Sequence, residues 1–302
     1  MIKTNILKIG KDIKEIKIQG ASKIELAAVL GILEVINQSK LEGNDFLGEV
    51  VENINYLISQ RPNEPKLRNS LSYIWQMSNK YQSVKERNVL VELINSYEKT
   101  TETNNELISE YASQMITNGS TILTHCHSNL VENAFKKAYD RGIDFEVICT
   151  ETRPRFQGRI TAKALCEYGI NTTQIVDSAV SAYLKKADLF ITGADVIFQD
   201  GSIMNKVGTH TISLVAKNFK TPHIVLTSTH CVETDIFVSL NEQIEERNID
   251  EIWSEADGRP DNLKLKNPSF DIVPNDLIDK FITEEGVFSP ETLAIWVRKN
   301  LK

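Results

Sequence analysis

No stretch of this chain approaches the roughly 20 consecutive apolar residues of a bilayer-spanning helix, so no membrane association is expected. Cysteine is scarce, and Cys126, Cys149, Cys166 and Cys231 lie far apart with no C-x-x-C pair. That spacing argues against a zinc ribbon or a dithiol redox motif. Basic residues are outnumbered, 34 Lys and Arg against 41 Asp and Glu, leaving a net charge of −7. Nucleic acid calls for clustered cations, so it is not an expected partner; a few local cations still suffice for a small anion. G-x-G-x-x-G is also missing after the first strand-like run, which removes the usual mark of a dinucleotide site. Lys3, Lys8, Lys11 and Lys14 stand among short apolar runs with no h-region or small-residue cleavage site. A cytoplasmic protein with reduced thiols is the expectation.

With 302 residues the chain is long enough for two domains. Residues 1–119 read as a helical domain. Ile24, Leu26, Ala27, Leu30, Leu33 and Ile36 recur at helical spacing, as do Leu47, Val51, Ile54 and Leu57, and then Leu71, Ile74 and Met77. A polar helix over about 87–116 leads to the turn signal Asn118-Gly119-Ser120. Residues 120–302 change character. Short apolar runs at 121–124, 145–150, 173–176, 189–192, 223–227 and 281–283 alternate with helical patterns near 129–141, 160–168, 178–186 and 208–218. Such alternation predicts βαβ crossovers, hence an α/β domain with a Rossmann-like, doubly wound parallel sheet.

In such a sheet, ligands bind beyond the carboxyl ends of the strands. Cys126 and Asp195 both occupy that edge. Cys126 follows the first strand and stands just ahead of a helix near Asn129, whose dipole favours the thiolate; a small buried hydrophobe is the competing reading. Asp195 follows Gly193-Ala194 and is a candidate proton donor or, alternatively, the cap of a turn. A His125-Cys126-His127 zinc site would need a sharp bend, because neighbours in a strand cannot converge on one ion. After the second strand, Arg153, Arg155 and Arg159 surround Gln157 in a cationic loop suited to phosphate or carboxylate, unless they are simply solvated. Asn205 and Lys206 are read as opening a helix at Gly208-Thr209, with phosphate at its N-terminus. Gln19, Gly20, Ala21 and Ser22 play a similar part ahead of the Ile24 helix, where Ser22 is otherwise a plain N-cap. Arg61 is an isolated cation at a turn.

In order along the chain, Gly20-Ala21, Thr124-His125-Cys126, Thr150-Glu151-Thr152-Arg153-Pro154, Gln157-Gly158, Gly193-Ala194-Asp195, Asn205-Lys206 and Asn267-Pro268 resemble one superfamily. It contains archaeal ribose-1,5-bisphosphate isomerase, methylthioribose-1-phosphate isomerase and the α, β and δ subunits of translation initiation factor 2B. The resemblance extends to Gly286–Pro290 and so covers nearly the whole chain. It implies an aldose–ketose isomerase acting on a sugar 1-phosphate, with Asp195 as acid and Cys126 as base, needing neither metal nor cofactor. Phosphate would be held by Gln19, Gly20, Ala21, Ser22, Arg61, Arg153, Gln157, Asn205 and Lys206. Ribose 1,5-bisphosphate is the implied substrate. The alternatives are methylthioribose 1-phosphate and a non-catalytic regulatory subunit. A homo-oligomer, dimer or hexamer, is implied as well, with a nucleotide as candidate activator. The chain departs from the pattern twice: Gln19 stands where an arginine is usual, and no lysine appears in Ser228-Thr229-His230.

Overall fold

The computed structural model describes residues 2–18, 20–234 and 244–300. Helices α1 (Thr4–Lys14), α2 (Ala21–Gln38), α3 (Gly43–Gln60), α4 (Pro65–Lys80) and α5 (Arg87–Ser113) come first. The chain divides into two units, residues 1–104 and 105–302, and the division falls inside α5. In the first unit the helical apolar stripes close on one core built from Ile6, Ile24, Ile32, Phe46, Leu57, Leu71, Ile74 and Leu90. Pro65 begins α4, where its missing N–H costs nothing. None of the described helices is long and apolar enough to cross a membrane.

The second unit is the α/β layer structure. Its elements run β1 (Ser120–Thr124), α6 (Asn129–Asp140), β2 (Phe145–Thr150), α7 (Gln157–Tyr168), β3 (Asn171–Ile175), α8 (Val180–Leu184) and β4 (Leu189–Gly193). Next come β5 (Val196–Ile197), β6 (Ile203–Lys206), α9 (Thr209–Phe219) and β7 (His223–Leu226). After the undescribed stretch lie β8 (Phe270–Val273), β9 (Lys280–Thr283), β10 (Gly286–Phe288) and α10 (Pro290–Asn300). One sheet has the order β10-β9-β7-β4-β1-β2-β3 and is parallel except for β10. Both faces are covered. In β1, Ile122 belongs to one core cluster with Phe135 of α6 and Leu165 of α7, while Leu123 belongs to another with Leu184 of α8 and Ile212 of α9.

β1 sits between β2, which follows it, and β4, where the chain resumes on the other side. Strand order therefore reverses between β1 and β4, the kind of switch point at which open α/β sheets bind ligands beyond the carboxyl ends of the strands. A second sheet, β5-β6-β8, is antiparallel. The sequence reading did not anticipate it, because β5 has two residues and β6 pairs with a strand more than 60 residues further on. Asn205 and Lys206, expected at the opening of a helix, belong to β6, and α9 begins at Thr209.

Inside the large sheet, His223 of β7 is buried, with its ring nitrogens engaged by the hydroxyls of Thr192 and Ser213. Burial lowers its pKa from 6.5 to about 3. As pH falls below about 6.5 the unfolded chain therefore takes up this proton before the native one does. Stability should decline by about 1.4 kcal/mol per pH unit toward pH 3 from this group, and be unaffected by it above 6.5. Thermal melts from pH 7 to 4 should be shallower for His223→Gln by one proton; an identical slope would show that His223 does not contribute.

Candidate active site

Cys126 lies two residues beyond β1 and Asp195 two residues beyond β4, on neighbouring parallel strands paired at Thr124 and Ile191. The two strand ends are packed without slack. A β-carbon on Gly193 would stand 2.8 Å from the Ser128 hydroxyl and 3.0 Å from its β-carbon, so a larger residue there would push the Ser128 side chain of the loop after β1 aside. The Asp195 backbone is fixed from its other side, its N–H donating to the Met204 carbonyl of β6 at 3.0 Å.

The Cys126 loop is held by a directed chain of hydrogen bonds. His125 is buried, and its Nε2 lies 2.9 Å from the Val207 carbonyl, which can only accept. Burial depresses its pKa, so the ring is neutral and its Nδ1 must accept, here from the Thr150 hydroxyl at 2.6 Å. Thr150 Oγ1 lies 3.3 Å from Thr152 Oγ1, and that oxygen accepts the Cys126 N–H at 2.9 Å. Bonds aligned in one direction polarise one another and fix a geometry together. On the other flank, Thr161 donates to the Cys126 carbonyl at 3.1 Å and accepts from His127 Nδ1 at 3.0 Å. Neither histidine converges with Cys126 on a common point.

The backbone here is unusual. Cys126, Thr152 and Phe156 all adopt left-handed φ, 70°, 60° and 58°. Each costs on the order of 1–2 kcal/mol relative to the ordinary regions, and such residues gather where the surroundings over-determine them. For Cys126 the result is a thiol turned out of strand alternation at the switch point. It remains partly open to solvent. The expectation of a favoured thiolate is not met: burial pushes the Cys126 thiol up to about 11. Lys206 and the His127 N–H pull it down, while Asp195 and Asp177 oppose ionisation. Desolvation outweighs the nearby cation and amide.

Other expected residues divide by location. Gln157 is the first residue of α7, and its Oε1 is buried with no hydrogen-bond partner among the described residues. Arg153 is exposed; its guanidinium lies 5.1 Å from the Phe156 ring centroid and donates to the Ile252 carbonyl at 2.9 Å. Among the described residues it has no carboxylate partner, whereas Arg155 pairs with Glu251 and Arg159 with Glu151. Lys206 and Asn205 are strand residues, and the Asn205 amide donates to Thr209. The N-terminus of α9 is already occupied: Asp271 of β8 accepts the N–H groups of Gly208 and His210 at 2.7 and 3.1 Å. Those two N–H groups are thus satisfied within the protein.

Gly20, Ala21, Ser22 and Arg61 belong to the first unit, and Gln19 lies outside the described residues. Gly20 is the N-cap of α2 with φ 90°, so Ser22 is not the cap. Instead its hydroxyl accepts from the buried Lys66 ammonium at 2.9 Å, and Lys66 also pairs with Glu25 at 3.1 Å. Arg61 lies 3.7 Å from Glu64. Lys66 and Asp177 were not singled out in the sequence, and Thr150 and Thr152 entered only as members of the motif Thr150–Pro154, with no role of their own. Asp177 carried a positional signal, since it follows the end of the third strand much as Asp195 follows the fourth.

The family model described as the initiation factor 2 subunit family matches residues 17–290. The ribose 1,5-bisphosphate isomerase of Methanocaldococcus jannaschii is 38% identical over 282 residues, covering 92% of this chain and 90% of the relative. A methylthioribose-1-phosphate isomerase of Heliobacterium modesticaldum is 30% identical, covering 93% and 86%. Among solved structures, a translation initiation factor eIF-2B of Pyrococcus horikoshii superposes with a TM-score of 0.84 at 24% identity, over 97% of this chain and 100% of that one.

Proposed function

This chain belongs to the initiation factor 2 subunit family, and we propose that within it the protein is an aldose–ketose isomerase converting ribose 1,5-bisphosphate to ribulose 1,5-bisphosphate. The observation that supports this most is the placement of Cys126 and Asp195 on adjacent strand ends at the switch point. The relatives named as ribose 1,5-bisphosphate isomerases support the choice of substrate.

A ribose carrying phosphate on C1 cannot open by losing an anomeric hydroxyl proton, so ring opening needs an acid and a base together. Asp195, protonated, donates to the ring oxygen as the C1–O bond breaks. Cys126, as thiolate, removes the C2 proton, and the electron pair forms the C1–C2 double bond of an enol phosphate. Cys126 then returns its proton to C1, while Asp195 takes the proton of the 2-hydroxyl and leaves the ketone. Both groups end as they began, with one proton shared between them. In the free site burial keeps the Cys126 thiol protonated, and the nearby Asp195 charge further opposes its ionisation. Moving that proton onto Asp195 creates the base and removes the opposing charge in one step. Arg153 and Lys206 supply cations, and the orphaned Gln157 Oε1 is an acceptor for a sugar hydroxyl. The expected phosphate-loop residues Gly20, Ala21, Ser22 and Arg61 lie in the first unit, where the Lys66 ammonium brings a cation to Ser22.

The reading extends to a homo-oligomer. It is tested by incubating the purified full chain with ribose 1,5-bisphosphate, or with methylthioribose 1-phosphate, and following ketose formation by NMR. Turnover of the bisphosphate at a higher kcat/KM is the expected result. Preference for methylthioribose 1-phosphate would replace the substrate, and failure with both, together with capture of initiation factor 2, would replace the enzyme reading by a regulatory one.

A further inference from the structure

Asp177 lies just beyond β3, at the same edge of the sheet, and its carboxylate is engaged by the loop after β2. Oδ1 accepts the Thr152 N–H at 2.8 Å, and Oδ2 accepts the Arg153 N–H at 2.7 Å. Two charge-assisted bonds to successive amides fix both the position and the direction of the chain. They hold Thr152 in its left-handed conformation, which a β-branched residue rarely adopts unaided. Held that way, its hydroxyl meets the Cys126 N–H. Three residues from three strand ends thus form one line, Asp177 to Thr152 to Cys126, and Arg153 branches from it.

We propose that Asp177 is the positioning residue of the active site, setting Cys126 through Thr152 and aiming Arg153 through the adjoining amide. It touches neither of the proposed proton-transfer groups. The role rests on the isomerase reading for its kinetic readout alone. Its charge supplies a second, independent readout. Around the Cys126 thiol, Lys206 from β6 and the His127 N–H favour ionisation, while Asp195 beyond β4 and Asp177 beyond β3 oppose it. His125 and His127 flank the thiol in its own loop. Removing the Asp177 charge should therefore ease ionisation while loosening the geometry that catalysis needs. A residue that merely stabilised the fold would move only activity.

The test is Asp177→Asn in the full-length protein. Alkylation of Cys126 by iodoacetamide, followed by peptide mass spectrometry from pH 7 to 11, should shift to lower pH. kcat/KM for ribose 1,5-bisphosphate should fall on the order of 10²-fold, as for a misplaced catalytic group. Thr152→Val should lose activity comparably without the alkylation shift, and Thr152→Ser should restore it. The double variant should be no slower than Thr152→Val alone, because both changes break one line. An alkylation profile unchanged in Asp177→Asn, or losses that multiply in the double variant, would overturn the proposal. If Asp177→Asn does not fold, equal activities of Thr152→Val and Thr152→Ser overturn it instead. If the chain has no isomerase activity, the alkylation arm still decides on Asp177.

Discussion

Replacing Cys126 with serine should lower kcat for ribose 1,5-bisphosphate by about 10²–10⁴-fold, the range typical of a lost general acid or base, while leaving the melting temperature nearly unchanged. Serine keeps the shape and the backbone bonds to Thr152 and Thr161. It loses the one property the reaction needs, since a hydroxyl ionises far less readily than a thiol, even one pushed up to about 11. Asp195→Asn should fall as far, because an amide cannot protonate the ring oxygen. As the two act in one step, the double variant should be little worse than either single one. Stopped assays on the three proteins, with far-ultraviolet dichroism to confirm folding, make the measurement. Turnover within a factor of about three of the parent in either single variant would remove that residue from the mechanism.

Gly158→Ala should be the most damaging single methyl in the second unit. Its β-carbon would lie 1.8 Å from the Thr150 carbonyl oxygen and 2.9 Å from Thr152 Oγ1. The nearest obstacle is backbone, so the start of α7 and the end of β2 must separate. Overpacking of this kind costs about 1–3 kcal/mol or somewhat more, which corresponds to a fall of roughly 2–4 °C in Tm per kcal/mol for a unit of this size. Activity should suffer further, on the order of 10²-fold. Thr150 and Thr152 are the links between His125 and the Cys126 amide, and the displacement acts on both. Gly48→Ala is the matched control. Gly48 lies in α3 with nothing within 4 Å of an added β-carbon, so its replacement should be neutral or stabilising by up to about 1 kcal/mol. Equal melting temperatures for the two variants would refute the close-approach argument.

Patterning by itself determined the fold class. Runs such as Phe145–Thr150 and Leu189–Gly193 carry apolar residues on both faces, Glu146 and the threonines Thr150 and Thr192 apart, and a strand apolar on both faces must be covered on both sides, which calls for helices between parallel strands. Cys126 and Asp195 were legible for the same reason, as polar residues placed where apolar strands stop. Local pattern did not reach the β5-β6-β8 sheet, because its pairing joins distant segments and β6 has no length of its own to declare. It also placed Asn205 and Lys206 at a helix start, whereas both belong to β6 and Asp271 caps the helix that follows. The ionisation of Cys126 was likewise beyond it, since the helix dipole is a local property and desolvation is not. Sequence thus decided which residues end the strands. Only tertiary structure decided what surrounds them: the left-handed turns at Cys126 and Thr152, the Asp177 carboxylate that holds one of them, and the glycine contacts that press three strand ends together. Those features depend on distances between segments that are remote in the chain, and no periodicity records them.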